Sequence, residues 1–204
     1  MNNPSPIVYL LDDEPGMVKA VTRLLRANGF EVQGFTAPAS FLEAYRSGSE
    51  SCLILDVAMP ELDGLDLQSR LTHEGILLPI VFLTGHGDIP MSVRAMKAGA
   101  VDFLTKPVKD VDLLRAVRAA LVRAAEQREA AVISVRLTRL TPREREVMEH
   151  VVAGKLNKQI ASDLGIGEQT IKIHRGRMMH KMGLESVADL VRIAEKLGIG
   201  RKED

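Results

Sequence analysis

The chain has 204 residues, 46% hydrophobic and 26% charged, with a formal net charge of zero. That length suits one large domain or two small ones, and the composition excludes low-complexity, collagen-like and highly charged disordered classes. No apolar run approaches the ~18 residues that cross a bilayer, and the single Cys52 excludes an internal disulfide and reads as a small core residue.

The first 125 residues alternate strand and helix signals. The runs IVYLL (7–11), FEVQGF (30–35), CLILD (52–56), PIVFLT (79–84) and VDFL (101–104) read as five strands. Between them, helical patterns begin at Pro15, Pro38, Gly64 and Ile89, and four of these stretches close at Gly29, Gly48, His73 and Gly99. A last helix begins near Asp110, and Val111, Leu114, Val117 and Leu121 are expected on its buried face. Five β-α units in succession predict a parallel, doubly wound sheet covered by helices on both faces.

Over residues 122–138 the pattern fades into an Ala-, Glu- and Arg-rich stretch without strand signals. It is expected to be a linker, either helical or coil. Beyond it only helical signals remain, and they predict a four-helix, all-α unit. Thr141-Pro142-Arg143-Glu144 has the spacing of a capping box. NKQIASDL (157–164), with Asn157 as its expected cap, is followed by the turn Gly165-Ile166-Gly167 and by EQTIKIHRGRMMHKM (168–182). Ser186 is expected to cap a last helix ending near Leu197. Boundaries at 1–124, 125–138 and 139–204 follow. The N-terminus meets acidic residues by position 12 without a basic leader, so a cytoplasmic location is expected.

Charge divides along the same line. Residues 1–125 hold 12 basic and 15 acidic residues, net −3, and residues 126–204 hold 15 and 12, net +3. Within 155–183, Lys155, Lys158, Lys172, Arg175, Arg177 and Lys181 face only Asp163 and Glu168. A local surplus of four positive charges points to a polyanionic partner.

Ligands of open parallel sheets bind at the carboxyl ends of the strands. Asp12-Asp13 ends the first predicted strand, Asp56 the third and Thr84 the fourth, and Lys106-Pro107 follows the fifth. Singly, each suits a cap or an exposed loop, and His86 of Gly85-His86-Gly87-Asp88 reads as an exposed loop residue. Jointly they place three carboxylates, a hydroxyl and an ammonium at one edge. Clustered carboxylates repel and call for a cation, and an all-oxygen donor set favours Mg²⁺. A carboxylate beside Mg²⁺ and a lysine suits phosphoryl transfer to the carboxylate itself.

Asp12-Asp13, Asp56 with Met59-Pro60 and Gly64, Thr84 and Lys106-Pro107 together resemble the receiver domain of two-component response regulators. TGHGDIPMSVRAMKAGAVDFLTKP (84–107) is especially similar to FixJ-type regulators, and the match runs from residue 7 to about 122. The resemblance implies that Asp56 accepts phosphate from a histidine kinase. It implies Mg²⁺ at Asp13, Asp56 and the Ala58 carbonyl, with Asp12 acting through water. Thr84 and Lys106 would contact the phosphoryl oxygens, and the Lys106-Pro107 peptide is expected to be cis. Thr84 and Phe103 are the implied switch pair, coupling phosphate to a change over 89–106 and to dimerisation. Ala58 departs from the larger residue more common in the family, which bears on the lifetime of the phosphate.

The tail is similar to the LuxR/NarL-type DNA-binding domain, through LTPREREVM (140–148), the 157–182 run and the last helix. A helix-turn-helix lays its second helix in the major groove. The resemblance implies that Lys172, Ile173 and Gly176 face base edges, and that Lys158, His174 and Arg175 meet the DNA backbone. Ile171, Met178 and Met182 recur at a spacing that predicts a buried stripe. Gly176 within the helix, and Gly167 in place of a capping Ser, depart from the family pattern. The function expected is a phosphorylation-activated transcription regulator acting on duplex DNA, with a histidine kinase and RNA polymerase as partners. Two further readings remain: a Mg²⁺-dependent phosphatase or phosphotransferase using Asp56, and an RNA-binding antiterminator or adaptor. Ala58 lies where the first would need a second acid.

Overall fold

A computed structural model describes residues 5–60, 62–85, 88–196 and 198–199. His86 and Leu197 lie outside the described residues. The chain divides into two compact units between Arg128 and Glu129.

In the first unit, β1 (Ile7–Leu11), β2 (Glu31–Phe35), β3 (Ser51–Leu55), β4 (Ile80–Thr84) and β5 (Asp102–Thr105) form one sheet. All pairings are parallel, in the order β2-β1-β3-β4-β5. The helices are α1 (Pro15–Ala27), α2 (Pro38–Ala44), α3 (Gly64–His73), α4 (Ile89–Lys97) and α5 (Asp110–Thr138). Strand residues alternate between two cores, as pleating requires. Tyr9, Leu11, Leu53, Leu55, Ile80 and Phe82 pack with Phe41 of α2, Leu67 and Leu71 of α3 and Ala95 of α4. Val8, Leu10, Cys52, Ile54, Val81 and Leu83 pack with Val21 and Leu25 of α1 and with α5 on the other face. Being buried on both faces, β1, β3 and β4 are almost continuously apolar, which is why they stand out in the sequence. Cys52 lies in the centre of this sandwich, fully buried, and burial pushes its thiol up to about 12.

The buried stripe of α5 is shifted from the expected one. Leu113, Ala116, Val117 and Ala120 face the core, Leu114 and Leu121 pack at its margin, and Val111 is 75% exposed. Two alanines, Ala116 and Ala120, carry much of the buried face because they let the helix lie close to the sheet, and a pattern built on large apolar residues passes over them. The helix also continues through the fading stretch to Thr138.

The second unit begins with the end of α5 and adds α6 (Pro142–Val152), α7 (Asn157–Leu164), α8 (Glu168–Met182) and α9 (Val187–Lys196). Its core gathers Ile133, Leu140, Val147, Met148, Val151, Ile160, Ile171, Met178, Met182 and Leu190. The expected stripe of α8 is thus buried. The capping box of α6 is complete: Glu144 N–H donates to Thr141 Oγ1 (3.3 Å) and Thr141 N–H to Glu144 Oε2 (2.9 Å). Ser186 Oγ accepts from Asp189 N–H (3.1 Å), capping α9. Asn157 is not a cap. The helix starts one residue earlier, Leu156 N–H donates to Gln159 Oε1 (2.8 Å), and Asn157 Oδ1 accepts from Arg175 Nη1 (2.9 Å). Asn157 therefore joins α7 to α8.

Candidate functional site

Reversal of the strand order between β1 and β3 opens a crevice at their carboxyl ends. Asp12 and Asp56 follow the paired residues Leu11 and Leu55, and Asp56 N–H donates to Leu11 O (2.9 Å), so register alone sets the two carboxylates side by side. Asp12 is 1% exposed and Asp56 4%. Oxygens of Asp12, Asp13 and Asp56 lie within 4.8 Å of one another. Thr84, fully buried, ends β4, and Lys106 N–H donates to Thr84 O (2.7 Å), which draws the start of the next loop to the same edge. The Lys106-Pro107 peptide is cis.

Lys106 Nζ bridges the carboxylates, 2.7 Å from Asp12 Oδ2 and 3.0 Å from Asp56 Oδ2, with Glu14 Oε1 at 3.8 Å. Partial burial alone would lower its pKa, but the hydrogen bonds to Asp12 and Asp56 outweigh that and hold it above 10.5. It stays an ammonium at any physiological pH. The carboxylates outnumber the one ammonium that reaches them, so the pocket keeps an excess of negative charge that suits a divalent cation. The donor set fits such an ion: it is all oxygen, and among the described residues Asp56 Oδ1 meets a long 3.4 Å contact from Ala58 N–H. Capping does not account for the acidic run, because Glu14 stands at the N-cap of α1 without a side-chain cap bond.

Gly64 supports the pocket from below. A Cβ there would lie 2.3 Å from Asp56 O and 3.0 Å from Val57 Cα, and Gly64 N–H donates to Val57 O (2.9 Å). Only glycine lets α3 begin this close to the backbone that carries Asp56. Phe103 on the edge strand β5 is half-buried, 5.9 Å from Phe82 ring to ring. Ala58, two residues past Asp56, is exposed.

On α8, Lys172, Ile173 and Gly176 are exposed, Ile173 by 47%, opposite the buried Ile171-Met178-Met182 stripe. His174 and Arg175 are half-buried, and Arg175 reaches Asn157 on α7, where Lys158 is exposed. Gln169, Arg177 and His180 share the exposed face. Their signal was available, since they fall opposite the apolar stripe at 3.6 residues per turn. Gly167 occupies the N-cap of α8 with no side-chain cap bond.

Comparison with known proteins agrees with this geometry. Residues 8–118 match the response regulator receiver domain, and residues 138–194 match the bacterial regulatory proteins of the luxR family. Nodulation protein W of Bradyrhizobium diazoefficiens is 48% identical over 197 residues, covering 95% of this chain and 87% of that protein. Response regulator protein TmoT of Ectopseudomonas mendocina is 44% identical over 201 residues, covering 97% and 91%. Among solved structures, response regulator StyR superposes with a TM-score of 0.71 at 43% identity, covering 94% of this chain and 99% of that one. Full-length FixJ from B. japonicum gives 0.58 at 40%, covering 97% and 98%. The chain belongs to the two-component response regulators that join a receiver domain to a LuxR-type DNA-binding domain. It is a transcription regulator of that family, and no helix among the described residues is long and apolar enough to cross a membrane.

Proposed function

We propose that Asp56 is the phosphoacceptor and that its phosphorylation by a histidine kinase, in the cytoplasm, controls DNA binding by α8. The observation that carries this reading is the Lys106 ammonium lying between Asp12 and Asp56 beside a third carboxylate. Asp12, Asp13, Asp56 and the Ala58 carbonyl would hold Mg²⁺, which when bound offsets the negative charge of carboxylate and phosphoryl oxygens. An Asp56 carboxylate oxygen attacks the phosphorus of a phosphohistidine; the O–P bond forms, the N–P bond breaks, and the imidazole leaves. The Thr84 hydroxyl and Lys106 Nζ then meet the phosphoryl oxygens. Thr84 moves inward, and Phe103 turns into the space it leaves.

That rearrangement is felt along α4 and β5, where Ile89, Val93 and Met96 are exposed. Dimerisation through this face sets two copies of α8 on half-sites about one turn (~10 bp) apart. Lys172, Ile173 and Gly176 approach base edges, Lys158, His174 and Arg175 the phosphates, and the bound dimer engages RNA polymerase.

The test is phosphorylation by a small-molecule donor such as acetyl phosphate with Mg²⁺, read by intact mass. The wild-type chain should gain one phosphoryl group and Asp56→Asn none, with unchanged circular dichroism and unchanged basal DNA binding. A phosphorylated Asp56→Asn protein would place the acceptor elsewhere.

A further inference from the structure

The recognition helix is held unequally at its two ends. Its start has no side-chain cap. Its end is gripped from α5: Arg136 Nη1 donates to Met182 O (2.8 Å), the carbonyl of the last helical residue. The next residue, Gly183, adopts φ +63°, and a Cβ on it would lie 3.0 Å from the Arg136 guanidinium. A helix end leaves its last carbonyls without helical partners and carries partial negative charge, so a guanidinium there satisfies both needs. Arg136 is itself fixed. Ile133, one turn before it, is buried in the core of the unit, Leu137 packs against that core, and Arg145 Nη2 donates to Leu137 O (3.2 Å). The stretch before the helix-turn-helix is therefore a built part of the DNA-binding unit.

We propose that Arg136 is a positioning residue for DNA recognition, setting the axial placement of α8 from its carboxyl end. It touches no base or phosphate in this role. It acts through the Met182 carbonyl, and Gly183 is the residue that lets the guanidinium come close. The inference rests on α8 being the recognition helix.

The experiment uses the full chain and two probes: a duplex selected from a random library by the wild-type protein, and its scrambled counterpart. Arg136→Ala should narrow the ratio of the two affinities by roughly tenfold, the scale of one charge-assisted hydrogen bond. The salt dependence of scrambled-duplex binding should not move, because no phosphate contact is removed. Arg136→Lys, which keeps one donor for the carbonyl, should recover part of the ratio. Val147→Ala, which weakens the same core but leaves the Arg136 guanidinium to bond the Met182 carbonyl, should keep the ratio at matched folded fraction. An unchanged ratio in Arg136→Ala, or a loss that Val147→Ala reproduces, overturns the proposal. Lys172→Ala separates the premise: if it leaves the ratio intact, α8 is not the reading helix, and the proposal falls with it.

Discussion

Asp56 gains its character from neighbours brought by other strands: Asp12 through β1 register, Lys106 through the loop after β5, and the backbone clearance that Gly64 provides. The last is the most restrictive. Gly64→Ala forces a methyl group against the Asp56 carbonyl, and since backbone cannot give way cheaply, the variant should lose about 1–3 kcal/mol of stability. Urea unfolding of the receiver unit measures this, and phosphorylation should slow in parallel as the backbone carrying Asp56 shifts. The pocket's membership was legible in the sequence because apolar runs mark the strands and the polar residues ending them must share an edge. The role of Gly64 as a spacer was not, since its constraint is a through-space clash that no local pattern records.

Single elements show where sequence periodicity succeeds and where it slips. The Ile171-Met178-Met182 stripe is correct because α8 buries one narrow line of large side chains. The α5 stripe is out of phase because alanines carry its buried face, and Asn157 was misplaced because a helix starting at either of two adjacent residues has the same apolar pattern. Gly176 sits in open space on the exposed face of α8, so Gly176→Ala should stabilise the second unit by ~0.5–1 kcal/mol through helix propensity. The same change should weaken binding to a selected duplex, whereas a gain in both would mean that no close approach occurs there. Glu144 is 2% exposed; burial alone would raise its pKa, but Lys181 Nζ at 2.6 Å and the Thr141 hydrogen bonds hold it below 4.5. A depressed carboxylate contributes stability that is full above its ordinary pKa and is lost as pH falls through its folded value. Thermal melts of the second unit should therefore weaken as pH drops below the ordinary glutamate range. Glu144→Gln should flatten that dependence and cost about 1–2 kcal/mol at neutral pH, discounted because Lys181 is one-third exposed.

At the scale of the whole molecule, opposite charge surpluses separate residues 1–125, net −3, from residues 126–204, net +3, along the line that divides the receiver from the LuxR-type domain. Activation should appear as a change of mass. With beryllofluoride and Mg²⁺, light scattering should report a dimer for the wild-type chain. Val93→Glu places a charge on the exposed α4 face and should hold the loaded protein monomeric. A loaded Val93→Glu dimer would move the interface off α4. How α5 passes from one unit to the other was the least legible feature, because its Ala-Glu-Arg composition suits a solvated helix and a linker alike.

Cys52 gives the molecule a built-in clock. The lone thiol lies on β3, the middle strand of the sheet, buried in the core shared with α1 and α5 and held in its unreactive protonated form. A thiol reagent can reach it only while the central sheet is open, so its modification rate counts openings of the receiver unit rather than surface encounters. Beryllofluoride should slow that rate by stabilising the closed sheet. For the same reason, a cysteine introduced anywhere on the surface becomes a single labelling address, and dye pairs or spin labels can follow activation without first removing a native thiol.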